Sequence, residues 1–286
     1  MLLAIDVGNS NTVLGLFNTG GEDPTALIAE WRVNTNRHHT RDEYSIIFRD
    51  LFALRSIDSN QVTGIIISSV VPPIDSALRQ VCEAYFHLKP IFVEPGIKTG
   101  LPVLVDNPSE VGADRIVNCV AAYEQFGGPC IVVDMGTATT FDVISPRGEY
   151  VGGAIAPGLS IAADALFTRA AKLPRVDVRR PAKVIGTNTT EHLQIGLYYG
   201  YIGLVDGILE RLIAEVGPQT KIIGTGGLAR LIAGGSKYIG SVDPILTLHG
   251  LRLLYERNTG TDRPSARRKA EHDVKPDAKS VAAKSE

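Results

Sequence analysis

Leu3-Ala-Ile-Asp6-Val-Gly8-Asn-Ser-Asn-Thr12, near the start of the chain, returns in its middle as Ile131-Val-Val-Asp134-Met-Gly136-Thr-Ala-Thr-Thr140. Asp6 matches Asp134, Gly8 matches Gly136 and Thr12 matches Thr140, each at the same offset, 134 − 6 = 128. In both copies apolar residues lead up to the Asp and hairpin-compatible sequence follows the turn. Residues 2–6 and 13–17 read as one pair of strands around a Gly-containing loop, and 130–134 and 139–145 as another. Helical spacing of apolar residues covers 40–54, where Tyr44, Ile47, Phe48 and Leu51 share a face. Further helices are predicted at 74–86, 115–126 and 193–217, and further strands at 64–71, 90–93 and 221–224. Pro72-Pro73 stops the strand at 64–71. Interleaved strands and helices predict an α/β architecture. The repeat predicts a duplicated α/β half, with the two loops on opposite lips of a cleft.

Composition narrows the function classes. Of the 286 residues, 44% are hydrophobic and 21% charged, the balance of a globular protein rather than a disordered chain, a collagen or a coiled coil. The formal net charge is -2, so no basic excess offsets a nucleic-acid backbone and a dedicated nucleic-acid binder is not expected. Cys82, Cys119 and Cys130 have no C-x-x-C spacing, which predicts buried free thiols in a reducing compartment. Asp6 interrupts the first apolar run, no basic segment precedes it, and no stretch approaches the ~20 apolar residues of a membrane span. A cytoplasmic protein without membrane association is the expectation. Residues 258–286 contain no aromatic side chain, and Val274 and Val281 are their only large aliphatics. They read as a polar, disordered tail; a partner-binding arm around Arg267-Arg268-Lys269 is the alternative.

An Asp-x-Gly-x-x-x-Thr loop has a definite chemistry. Gly lets the backbone turn tightly beside a ligand, and successive N–H groups of such a turn can converge on an anion. Ser10, Asn11 and Thr12 add side-chain donors. Asp6 repels phosphate, so it is expected to hold a hydrated cation that contacts the phosphates. Neither Gly-x-x-x-x-Gly-Lys-Ser/Thr nor Gly-x-Gly-x-x-Gly occurs in these loops, which removes the Walker and dinucleotide fingerprints. Gly112-Ala113-Asp114-Arg115 precedes a predicted helix. Asp114 there is either a helix cap or a general base, with Arg115 beside it for an anionic group. Gly152-Gly-Ala-Ile-Ala-Pro-Gly158 reads as a turn before an Ala-rich helix, either plain or close to a ligand. Thr225-Gly-Gly227-Leu228, between a predicted strand and helix, is placed for a nucleotide base or sugar. The six histidines lack metal-ligand spacing.

Taken in order, Asp6 to Thr12, Gly112-Ala-Asp-Arg115, Asp134 to Thr140, Gly152 to Gly158 and Thr225-Gly-Gly227 resemble the motifs of type III pantothenate kinases. The resemblance covers about residues 1–256. It implies the duplicated actin-like ATPase (ribonuclease H-like) fold, α/β, with two lobes around a nucleotide cleft: residues 1–114, residues 115–257, then the tail 258–286. It implies ATP-dependent phosphorylation of (R)-pantothenate to 4′-phosphopantothenate, the first step toward coenzyme A. The site residues it implies are Asp6, Val7, Gly8, Asn9, Ser10, Asn11, Thr12, Val13 and Thr137 for ATP, and Asp114 as proton acceptor. For pantothenate it implies Gly112, Ala113, Asp114, Arg115 and Thr189, the last close to a dimer interface. Asp134 would ligate a monovalent cation, potassium or ammonium, and Mg²⁺ would accompany ATP. The family resemblance also implies a homodimer. Where many members carry a substrate-contacting Tyr, this chain has Val105, so one hydroxyl contact of the pantothenate pocket is missing. Another small-molecule kinase or phosphatase of the same superfamily, or a transcriptional accessory protein, are the alternatives.

Overall fold

The computed structural model describes residues 1–19, 23, 25–170 and 172–260. The first half runs β1 (Leu2–Val7), β2 (Asn11–Phe17), β3 (Leu27–Asn34), α1 (Arg41–Leu54), β4 (Gly64–Ser69), α2 (Pro72–Tyr85), β5 (Ile91–Phe92) and α3 (Ala113–Phe126). The second runs β6 (Cys130–Met135), β7 (Ala138–Ile144), β8 (Tyr150–Pro157), α4 (Leu159–Arg169), α5 (Thr189–Val216), β9 (Lys221–Thr225), α6 (Ala229–Ala233), β10 (Ser241–Val242) and α7 (Leu246–Thr259). Two five-stranded sheets result, in the orders β3-β2-β1-β4-β5 and β10-β9-β6-β7-β8. Strand for strand these are the same sheet made twice. In each, the first two strands form an antiparallel hairpin, and the first strand pairs in parallel with the fourth.

Local chemistry explains the elements that the sequence announces. β1 and β6 are central and covered on both faces, so they are near-continuous apolar runs broken only by Asp6 and Asp134. Thr40 and Glu43 close a capping box at the start of α1, whose Tyr44, Phe48 and Phe52 face the core. Pro72-Pro73 does more than stop β4, because it occupies the first turn of α2, where a missing N–H costs nothing.

Three elements go beyond the expectations. β3 is a strand whose exposed and buried residues alternate around Ala29 and Trp31. β8 is a strand where the glycines of Gly152 to Gly158 predict a turn. Pairing with β7 imposes it: a Cβ on Gly153 would lie 1.7 Å from the Phe141 carbonyl oxygen, so only glycine permits that approach. α7 is a helix of 14 residues that ends with Asn258 and Thr259, whereas the polar tail was expected from 258. Asn258 Nδ2 donates to the Lys98 carbonyl, and its Oδ1 accepts from the Lys98 N–H, both at 3.0 Å. The rest of the expected tail, residues 261–286, lies outside the described residues.

Register refines the repeat. Val7 pairs with Thr12, and Met135 pairs with Thr139. The structural counterpart of Thr12 is therefore Thr139, not Thr140, because the second loop is one residue shorter. The loop bonds agree, since Gly8 N–H donates to the Asn11 carbonyl and Gly136 N–H to that of Ala138.

α3 and α7 close the two halves and pack on each other between the sheets. α3 lies against β6 and β7, and α7 against β1, β2 and β4. A buried core of Leu2, Ile66, Val117, Val120, Val132 and Leu251 joins the halves there. Residues 115–257 were expected to form the second lobe, yet α7, from within them, covers the first sheet.

Candidate active site

The two hairpin loops meet at one cavity of about 470 Å³. Asp6, Gly8, Asn9, Ser10, Asn11 and Val13 line it from the first half, and Asp134, Gly136, Thr137 and Thr140 from the second. Across it the hydroxyls of Ser10 and Thr137 are 2.9 Å apart. The end of β3 pins the first loop. Thr35 N–H donates to the Ser10 carbonyl at 3.0 Å, and its hydroxyl to the Gly8 carbonyl at 2.7 Å. Val7 and Thr12 do not line the cavity, because strand alternation turns them inward, and the Thr12 hydroxyl pairs with that of Thr35 at 2.9 Å.

Three carboxylates converge here from three elements: Asp6 at the end of β1, Asp134 at the end of β6 and Asp114 in the first turn of α3. Burial, then the charges of Asp114 and Asp134, push the Asp6 carboxyl up to about 8, against the opposing effects of Ser68 and Arg32. Burial, then Asp114 and Asp142, push Asp134 up to about 7, although Asn118 Nδ2 donates to it at 3.1 Å. Burial also raises Asp114, opposed by the Arg115 N–H, which donates to its Oδ1 at 2.8 Å. Asp114 is not the helix cap, since Gly112 occupies that position and no side chain caps α3. Crowded, desolvated carboxylates favour a cation that neutralises them, and their oxygens suit a hard ion. No three His, Cys, Asp or Glu side chains among the described residues could hold one metal ion. A cation held by these oxygens would draw its remaining ligands from phosphates, water or backbone.

The remaining wall combines an anticipated motif with positions absent from the sequence expectations. Gly226 (φ +89°) presses against the Asp134 carboxylate, and a Cβ there would come within 2.6 Å of its Oδ1. Arg32, Ser160, Pro244, Ile245, Thr247 and Leu248 also line the cavity. Arg32 belongs to β3, whose period-two alternation of Ala29, Trp31 and Val33 with Glu30, Arg32 and Asn34 is the signal that could have found it, and the last four belong to the entry and first turn of α7.

The residues expected around pantothenate do not line this cavity, apart from Asp114. Gly112 and Ala113 begin α3 beside it. Val105 lies next to β8: the Leu104 N–H donates to the Tyr150 carbonyl at 2.8 Å, and Val105 Cγ1 would be 3.9 Å from a Cβ on Gly152. Arg115 Nε donates to Asp142 Oδ1 at 2.7 Å, so the guanidinium is anchored rather than loose. Thr189 is exposed in the first turn of α5.

A duplicated α/β architecture with an Asp-Gly hairpin loop from each half at a common cleft is the fold that actin-like ATPases and sugar kinases share. A solved structure of this shape is the activator of the 2-hydroxyisocaproyl-CoA dehydratase from Clostridium difficile with bound ADPNP. It is 11% identical, with a TM-score of 0.53 and 99% of each chain covered, a likeness of fold alone. Sequence comparison is more specific. The profile of the family described as type III pantothenate kinase matches residues 2–211. The type III pantothenate kinase of Koribacter versatilis (strain Ellin345) is 62% identical, over 92% of this chain and 98% of that protein. That of Acidobacterium capsulatum is 56% identical, over 90% and 94%. The chain belongs to the type III pantothenate kinase family.

Proposed function

We infer that the cleft transfers the γ-phosphoryl group of ATP to the 4′-hydroxyl of pantothenate, the step that opens coenzyme A synthesis. The observation that supports it best is Asp114, a half-buried carboxylate sharing one cavity with both Asp-Gly loops. Phosphoryl transfer needs mainly positioning and charge stabilisation. Gly8, Asn9, Ser10 and Asn11 cradle phosphates from one side and Thr137 from the other, with Asp6 and Val13 beside them. Val7 and Thr12 contribute the loop's rigid base, as neither side chain reaches the cavity. Asp114 accepts the hydroxyl proton. Burial raises its proton affinity and so makes it a stronger base than an exposed Asp.

Asp6, with the ATP phosphates, would hold Mg²⁺, and Asp134 would hold potassium or ammonium. Such cations supply charge neutralisation for the phosphates. Gly112, Ala113, Arg115 and Val105 form the pantothenate side, where Val105 offers an apolar surface in place of a tyrosine hydroxyl.

A homodimer completes the reading. β8 and α4 expose Val151, Ile155, Ile161 and Leu166, and α5 exposes Tyr199. Added Cβ atoms on Gly196, Gly200 and Gly203 of α5 would meet nothing within 4 Å, so this helix face is open. Tyr198 and Tyr201 are buried in the protomer and do not contribute to that surface. Thr189 begins the same helix, which suits a role near a partner.

The test is ADP release coupled to a reporter, with ATP and pantothenate, in potassium, ammonium or sodium buffer. Turnover that depends on pantothenate and is stimulated by potassium or ammonium is expected. ADP release indifferent to pantothenate rejects the acceptor, and equal rates in all three buffers reject the monovalent site.

A further inference from the structure

Asp142, on β7, places a fully buried carboxylate inside a strand that is otherwise mostly apolar. Donors from three elements close on it. Arg115 Nε lies 2.7 Å from Oδ1, the Tyr150 hydroxyl 3.1 Å from the same oxygen, and the Thr140 hydroxyl 2.9 Å from Oδ2. The Arg115 side chain is 16% exposed, so the ion pair is largely desolvated. Such a pair is not needed to hold a fold, since an apolar pair of similar volume commonly does as well or better.

The duplication supplies an internal comparison. In the second hairpin Val132 pairs with Asp142, and at the matching place in the first Ala4 pairs with Gly15. Arg115 is the third residue of α3, as Leu248 is of α7. On the first sheet the Leu248 side chain, from α7, rests on Gly15, where a Cβ would be 2.7 Å from Leu248 Cδ1. One and the same junction is thus an apolar contact on one sheet and a buried ion pair on the other. What α3 carries and α7 lacks is the Asp114-Arg115 pair beside the cavity. Tyr150 also hydrogen-bonds the segment bearing Val105, through Pro102 and Leu104, so the cluster joins both stretches on the pantothenate side.

Resting on the reading of Arg115 as a pantothenate-binding residue, we propose that Asp142 is its positioning residue. By holding Nε, Asp142 sets the plane of the guanidinium, with Tyr150 beneath it (Arg115 Cζ 5.9 Å from the ring centroid), and leaves the η nitrogens for an anionic substrate group. The same bond ties the first turn of α3, and with it Asp114, to β7.

Steady-state kinetics on Arg115→Ala, Asp142→Asn and the double variant test this. Arg115→Ala is expected to raise KM for pantothenate. Asp142→Asn is expected to raise it about tenfold or more while KM for ATP changes little, as misplacement of a binding group does. The double variant should resemble Arg115→Ala, because the two residues act as one unit. An unchanged pantothenate KM in Arg115→Ala removes the substrate-binding reading itself. A raised KM in Arg115→Ala with an unchanged one in Asp142→Asn, or additive effects in the double variant, overturns the positioning role alone. Should Asp142→Asn fail to fold, Tyr150→Phe deletes one donor at nearly constant volume. A few-fold rise in pantothenate KM with normal ATP KM is then expected, and no rise overturns the proposal.

Discussion

Asp114 can be weighed without its neighbours' help, because one substitution separates its two readings. Asn matches it in size but cannot accept a proton, so Asp114→Asn should lower kcat by about 10²–10⁴-fold in the ADP-release assay, with KM for ATP largely kept. Gly112 being the cap, the same variant should melt close to the wild type; near-normal turnover would leave Asp114 without a catalytic role. Asp6 and Asp134 make a pH prediction. Asp6 titrates near 8 in the fold against 3.8 as a free side chain, and Asp134 near 7. The native state therefore binds more protons than the unfolded chain between those values, and stability falls as pH rises through them. Without nucleotide or divalent cation, Tm should decline between about pH 5 and 8. Asp6→Asn should flatten the decline, as should saturating Mg-ATP. A Tm that rises over this range would contradict the crowding of the carboxylates. The Asp-Gly spacing made Asp6 and Asp134 legible as candidate site residues. Asp142 gave no signal, since an Asp within an apolar strand acquires meaning only when Arg115, 27 residues away, folds onto it.

At the scale of the element, the turn after β9 couples backbone conformation to the site. Gly226 has φ +89°, a region that costs a side chain roughly 1–2 kcal/mol, and its missing Cβ is what admits the Asp134 carboxylate. Gly226→Ala should therefore weaken ATP and potassium activation more than pantothenate binding, read as separate titrations of each in the kinase assay. Equal loss for all three ligands would point to general misfolding instead. A contrasting control is the α1 cap. Thr40→Ala, at a residue that does not line the cavity, should cost about 1 kcal/mol in urea unfolding and change KM for ATP and pantothenate less than two-fold. The helices α1 and α3 were readable because periodicity and flanking residues mark them locally. β8 was not, because a run of Gly and Ala has no strand preference of its own and takes its shape from the ladder with β7.

Considered as a whole molecule, the protein carries two predictions about what lies outside the cleft. Light scattering at micromolar concentration should give twice the chain mass, and a charge placed at Ile155, 66% exposed, should shift the population toward monomer. An active wild-type monomer would reject the dimer and the placement of Thr189 beside a partner. Truncation after Gly260 should leave kcat/KM within a few-fold, since the removed residues follow the last helix among the described residues and are poor in core-forming side chains. Truncation three residues earlier, after Arg257, should be less well tolerated, because it removes the Asn258 bridge to Lys98. No helix among the described residues is long and apolar enough to cross a membrane.

The sequence by itself determined the duplication, the α/β class and the two facing Asp-Gly loops, because an apolar run, a carboxylate and a glycine turn are encoded by adjacent residues. The family motif at Asp114 was equally local. Only the tertiary structure decided the one-residue difference between the two loops, which makes Thr139 the counterpart of Thr12. It alone showed β8 as a strand, α7 crossing to cover the first sheet, Arg32 and the start of α7 at the cavity, and Arg115 anchored on Asp142. Each of these depends on residues distant in the chain meeting under burial. Interior close packing and the need to satisfy buried polar groups select among arrangements that local sequence leaves equally open.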